Sequence, residues 1–230
     1  MNYEEVLNHF NNNKDSDFAK FQARLITTKS TIIGVKVPVI KKYAKTIPNN
    51  DLTLINSLPM GKYFEVDMLK GLLISNLKTN IDEVINQLIS FSQYIDNWAV
   101  CDSVVCNTRF KKDNFDKIWH MSMILLGSNN QFIKRFGIIF LLKYFVKTSV
   151  NEITKVLLTT KFGDYYYDMG VSWFYSVSLI HNFDLTINNL KMIRPLSEFI
   201  YQKSLQKGIE SNRLSLEQKT LLRSLKNNTL

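Results

Sequence analysis

The sequence predicts an all-α fold, an α-α superhelix (solenoid) of stacked helical repeats, and three observations predict it. Similar segments begin at Phe64, Trp98, Phe132 and Tyr165, a spacing of roughly 34 residues that is the signature of stacked helix pairs. Only eight Gly and four Pro in 230 residues leave few points at which helices can be broken. No alternating apolar run bounded by turn residues suggests a strand, which excludes a doubly wound α/β architecture. With 45% apolar and 12% aromatic residues, the length suits one domain spanning 1–230.

In chain order, residues 3–11 and 16–28 read as two short amphipathic helices capping the stack, the second spaced by Phe18, Phe21, Leu25 and Ile26. Gly34 and Pro38 mark a turn, and Pro38 suits the start of a basic helix, Val39 to Ile47, bearing Lys41, Lys42 and Lys45. Asp51 is a candidate N-cap for a short helix to Leu58. The marked helices of the repeats run Phe64 to Leu77, Trp98 to Cys106, Phe132 to Phe145 and Tyr165 to Ile180. Their partners run Ile81 to Tyr94, Phe115 to Leu126, Val150 to Thr159 and Asp184 to Lys191. Ser215 and Gln218 have capping-box spacing ahead of a closing helix with Lys219, Arg223 and Lys226.

Superposing the four marked segments gives each slot a habit, and the departures are informative. The first slot is always aromatic. Four residues on stand Met68, Asp102, Phe136 and Met169, so Asp102 is a carboxylate in an otherwise apolar slot. Eight residues after the first slot stand Leu72, Cys106, Phe140 and Trp173, and the slot three residues after it holds Asp67, Cys101, Arg135 and Asp168. These offsets span roughly 140° of helix surface, so Trp98, Asp102, Arg135 and Trp173 are expected to look into one groove.

A formal charge of +9 points to a polyanionic partner, nucleic acid first, although a basic balance also serves solubility. Cys101 and Cys106 lie five apart on one helix, where their side chains diverge, and read as reduced thiols. His9, His120 and His181 have no metal-ligand spacing, so neither metal nor cofactor is expected. The amino terminus lacks a basic and apolar leader, and no apolar segment is long enough to span a bilayer. A cytoplasmic monomer is the expectation.

Trp98-x-x-x-Asp102, Arg135 within Phe132-Ile133-Lys134-Arg135-Phe136-Gly137, and Trp173 within Gly170-Val171-Ser172-Trp173 together resemble the bacterial DNA alkylation repair family of HEAT-like-repeat DNA glycosylases known as AlkD. Gly34-Val35-Lys36-Val37-Pro38 resembles that family's early Gly-Val-x-x-Pro element, and the likeness runs from about Gly34 to about Lys226. It implies a concave face of HEAT-like helix pairs gripping alkylated double-stranded DNA. It further implies hydrolysis of the N-glycosidic bond of cationic N3- or N7-alkylated purines without extruding the base. Asp102 then resembles the catalytic carboxylate, Trp98 and Trp173 the indoles that cradle the deoxyribose, and Arg135, with its neighbour Lys134, the DNA contact. The family's N-terminal tyrosine has no counterpart; Leu25 stands about where it would fall.

The residue types suit the chemistry independently. An alkylated purine leaves as a good leaving group, the barrier lies in a sugar turning oxocarbenium-like, and a fixed anion stabilises that charge. Each residue also has a plainer reading: Trp98 and Trp173 as core aromatics, Arg135 as the partner of an acidic neighbour. Tyr165, Tyr166 and Tyr167 either contact backbone or fill the groove. Two competing functions stand beside the glycosylase, a non-catalytic DNA-structure binder on the same scaffold and a helical scaffold for protein partners.

Overall fold

A computed structural model of the chain describes residues 1–227. Among them the regular elements are α-helices, one 3-10 turn and a single isolated parallel bridge between Thr31 and Tyr63, in agreement with the all-α class. Among the described residues, no helix is long and apolar enough to cross a membrane. The chain packs as two compact units, Met1–Met121 and the residues from Ser122 onward.

The N-terminal unit contains α1 (Tyr3–Asn12), α2 (Ser16–Leu25), α3 (Val37–Ala44), α4 (Leu52–Ser57), α5 (Phe64–Ser75), α6 (Ile81–Ser92) and α7 (Trp98–Asn107), followed by the 3-10 turn Lys112–Asn114. The division between units falls inside α8 (Phe115–Leu126). Short polar side chains start these helices by taking orphan backbone N–H groups. Asn2 and Glu5 form a reciprocal capping box, Asp15 accepts from Asp17 N and Phe18 N, and Asp51 accepts from Leu54 N as its position suggested.

Helix α5 is the hub of this unit, packing against α1, α3, α4, α6 and α7. Its residues are buried on nearly every side. A methyl group on Gly71 would stand 2.3 Å from Val104 Cγ2 and 2.6 Å from Phe91 Cζ, so a missing side chain is what lets α6 and α7 close on α5. Glu65, also fully buried on α5, accepts from the backbone N–H groups of Ile33, Gly34 and Val35 at 3.0, 2.8 and 3.1 Å. Three donors converging on one carboxylate offset its desolvation. Gly34 sits at φ 103°, and a Cβ there would stand 2.3 Å from the Asp15 carbonyl oxygen. The Gly-Val-x-x-Pro element is therefore a knot tying the starts of α2, α3 and α5.

Two expectations need correction here. Helix α2 stops at Leu25 because Ile26 is extended, and only part of its stripe is buried: Ile26 is buried and Phe18 half-buried, but Phe21 and Leu25 are 53% and 49% exposed, while Gln22 is buried. The cause is the close approach to Gly34, which places the small Ala19 on the inward side (its Cβ would lie 3.0 Å from a Cβ on Gly34) and leaves Phe21 and Leu25 facing outward. Helix α3 runs Val37–Ala44 rather than Val39 to Ile47, since Pro38 already lies in its first turn and Lys45 begins a turn.

The C-terminal unit contains α9 (Gln131–Phe145), α10 (Val150–Leu157), α11 (Tyr165–His181), α12 (Phe183–Ile193), α13 (Glu198–Glu210) and α14 (Leu216–Asn227). Here α11 is the hub, packed by α9, α12 and α13. Phe136, Phe140, Phe174 and Tyr175 are fully buried in its core. Ser215 and Gln218 form the expected capping box, Gln218 N donating to Ser215 Oγ at 3.2 Å and Ser215 N to Gln218 Oε1 at 3.0 Å.

Candidate functional site

The repeat slots separate into closed and open ones. On α5 the residues Phe64, Met68 and Leu72 are buried, and on α9 so are Phe136 and Phe140. On α7 the same face is open: Trp98 is 36% exposed, Asp102 half-buried and Cys106 exposed. On α11, Tyr165 is exposed, and Met169 and Trp173 are half-buried. The indoles are thus not the interior aromatics that their spacing alone allowed.

The start of α7 is held by several bonds. Asn97, itself buried, caps the helix by accepting from Val100 N at 2.9 Å. Asp96 accepts from Thr28 Oγ1 at 2.8 Å, from Lys29 N at 2.6 Å and from Asn97 Nδ2 at 2.9 Å, which ties this turn to the segment after α2. Trp98 Nε1 donates to the Leu25 carbonyl at 3.3 Å. With its edge bonded and its body partly exposed, the indole presents a fixed face, and Asp102 lies one turn along the same side. Leu25, where the resemblance would have placed a tyrosine, is the residue whose carbonyl receives the indole.

In the C-terminal unit the two basic residues lie inside. Lys134 was expected to contact DNA, but it is 4% exposed. Its ammonium donates to Asp164 Oδ2 at 2.5 Å and to the Lys161 carbonyl at 3.2 Å, and lies 4.5 Å from the Tyr167 ring centroid. A buried ammonium so enclosed orders the loop before α11. Arg135, expected near a phosphate, is 7% exposed, and its Nη1 donates to the Tyr166 carbonyl at 2.8 Å. It lies against Gly170, whose missing side chain leaves room for Arg135 Cγ, 3.4 Å from where a Cβ would stand. Trp173 follows Gly170 by three residues on α11.

Two residues to which the sequence reading gave a slot but no role share one local device. Asp67 and Asp168 each follow a glycine of positive φ, Gly61 and Gly163, and each accepts that glycine's N–H, at 2.9 and 3.0 Å. Burial pushes both carboxyls up to about 6, against the lowering effect of these bonds. Both stand in the same repeat slot, three residues after the leading aromatic, and that recurrence was the signal available in the sequence.

Fold and site together define the class: an all-helical protein, strongly basic, with a half-buried carboxylate and a fixed indole one turn apart on a short, well-capped helix. The chain belongs to the family of DNA alkylation repair enzymes, whose family model matches residues 6–160. That span contains the knot at Gly34, Trp98, Asp102, Lys134 and Arg135, and ends before Trp173. No curated protein and no solved structure matches the chain significantly.

Proposed function

We propose that this protein is a DNA glycosylase that hydrolyses the N-glycosidic bond of cationic N3- or N7-alkylated purines in duplex DNA, leaving the base in the stack. The observation that carries the reading is Asp102 on α7, half-buried in a slot that is apolar on α5, α9 and α11, one turn from the exposed face of Trp98. Membership of the DNA alkylation repair family supports it.

The chemistry follows from charge. The C1′–N bond breaks with its electron pair going to the purine, which neutralises the cation, so no general acid is needed. The sugar takes up positive charge, water adds at C1′, and the water's proton passes to the carboxylate or to solvent. An anion about 4 Å from that charge, at an effective dielectric of ~20, contributes roughly 4 kcal/mol, or about three decades of rate. The Trp98 face adds cation-π stabilisation and sheds water from the sugar. In the C-terminal unit, the resemblance assigns Trp173 the second indole and Arg135 a phosphate contact. The net charge of +9 speeds capture of the polyanion.

A duplex containing N7-methylguanine, incubated with excess protein, is expected to release free base. Asp102→Asn is expected to lower release by about three decades while leaving duplex affinity within a few fold. Wild-type protein that binds duplex in a salt-dependent way yet releases nothing over hours would make it a non-catalytic DNA binder. Equal loss of release and affinity in the variant would remove Asp102 from the chemistry.

A further inference from the structure

The repeat register continues past the fourth marked helix. Phe199 follows Tyr165 at the spacing that separates Trp98 from Phe64 and Phe132 from Trp98, so α13 carries the leading aromatic a fifth time. Four and eight residues further stand Lys203 and Lys207. On α7 those slots hold Asp102 and Cys106, and on α11 they hold Met169 and Trp173. At about 100° per residue the three side chains share one side of α13. The slots that are acidic or apolar in the earlier helices are cationic in this one.

Packing fixes which side of α13 faces solvent. Ile200, Tyr201, Ser204, Leu205 and Gly208 are buried, and a methyl group on Gly208 would stand 2.8 Å from Leu222 Cδ1 and 2.9 Å from Leu179 Cδ1. Near the helix starts the Phe199 and Tyr165 rings meet, their centroids 6.0 Å apart. From Tyr165 with Phe199 to Leu179 with Gly208 the contacts advance along both helices, so α13 runs beside α11 in the same direction. Away from the buried side, Phe199 and Lys203 are exposed and Lys207 is half-buried. Through the paired rings this side adjoins the open slots of α11, where Tyr165 is exposed and Met169 and Trp173 are half-buried.

The charge on this side is not compensated. Neither Lys203 nor Lys207 has a carboxylate partner among the described residues, and the Lys203 ammonium lies 5.9 Å from the Phe199 ring centroid. The carboxylates of α13 are engaged elsewhere: Glu198 accepts from Arg194 Nε at 2.8 Å and Gln202 Nε2 at 2.7 Å, and Glu210 accepts from Gln206 Nε2. Lys134 and Arg135, the basic pair of α9, are buried, which leaves the exposed cations of this unit to meet an anion. Four residues of helix advance about 6 Å, a length that spans about two phosphates of one DNA strand. We infer that Phe199, Lys203 and Lys207 hold the sugar-phosphate backbone of duplex DNA, the ammonium groups on neighbouring phosphates and the ring against a deoxyribose. The inference deepens the proposed function, on which it rests for the choice of duplex DNA among polyanions. Contacts of this kind position a duplex without reading its sequence, and they leave every base in the stack.

The test is the salt dependence of binding to a short undamaged duplex, followed by fluorescence anisotropy with the full-length protein. Lys203→Gln and Lys207→Gln should each reduce the slope of log affinity against log salt by about 0.9, and the double variant by about twice that. Near ~0.1 M salt each single variant should bind about five- to tenfold more weakly. Phe199→Ala should weaken binding by about threefold or more and leave the slope unchanged, since burying a ring releases no counterions. Lys155 and Lys191 are exposed on the partner helices α10 and α12. Lys155→Gln and Lys191→Gln remove the same charge from those helices and should change the slope by less than about 0.3.

Absence of duplex binding by the wild type, an unchanged slope in the double variant, or a Phe199→Ala variant that binds as the wild type does would overturn the inference. So would equal slope changes in the Lys155 and Lys191 variants, which would reduce the effect to overall charge. Because binding is read on undamaged DNA, the two readings can fail separately. A protein whose slope falls in Lys203→Gln and Lys207→Gln but which excises no alkylated base keeps this interface and loses the glycosylase reading. Base release together with an unchanged slope does the opposite.

Discussion

Asp67→Asn should make the protein more stable at neutral pH, although it removes a buried group with two hydrogen bonds. In the folded protein the Asp67 carboxyl is pushed from 3.8 up to about 6, chiefly because burial disfavours its charge; the nearby Asp96 adds to the rise, while Ser30, Gly61 and Lys70 oppose it. Below about pH 4 the group is protonated in both folded and unfolded chains. Between there and pH ~6 the folded protein still holds a proton that the unfolded chain has released, so this group's contribution falls as pH rises and is lowest above 6. About two units of difference correspond to roughly 3 kcal/mol at most.

Asparagine keeps both partners without the charge: its oxygen can accept from Gly61 N and its amide nitrogen can donate to Ser30 Oγ. The variant should gain about 1 to 3 kcal/mol near pH 7.5. At this chain length the melting temperature should rise by roughly 2 to 10 °C. Thermal unfolding followed by circular dichroism across pH ~4 to ~7.5 checks it, because the gap between variant and wild type should close toward pH ~4. A gap that does not change with pH, or a less stable variant near pH 7.5, would refute the reasoning.

Two further perturbations test the packing of the N-terminal unit. Glu65→Gln sets an NH2 group against converging backbone donors and should cost about 2 to 4 kcal/mol in urea denaturation; a loss below about 1 kcal/mol would mean that the knot at Gly34 does not depend on that carboxylate. Gly71→Ala drives a methyl group into Val104 and Phe91 and should cost about 1 to 3 kcal/mol or more, and an unchanged melting temperature would show that α6 and α7 yield at no cost.

The helical class, the period of roughly 34 residues, the caps at Asp51 and Ser215 and the departures at Trp98 and Asp102 were all readable in the amino-acid order. They depend on local propensity and on periodicity, which the chain carries along its length. Which face of a helix meets solvent was not readable. The spacing of Phe18, Phe21 and Leu25 is that of a buried stripe, yet the approach of α2 to Gly34 turned Phe21 and Leu25 outward. The burial of Lys134 and Arg135 was not readable either, because their partners, Asp164 and the Tyr166 carbonyl, lie about thirty residues away in the chain. Glu65 and Asp168 are ordinary carboxylates in sequence; one becomes a structural clasp, and the other keeps a buried oxygen without a partner among the described residues, through the donors that packing brings to them or withholds. Periodicity is a property of neighbours in the chain, whereas burial and hydrogen-bond satisfaction are properties of neighbours in space, and only the folded structure assigns those.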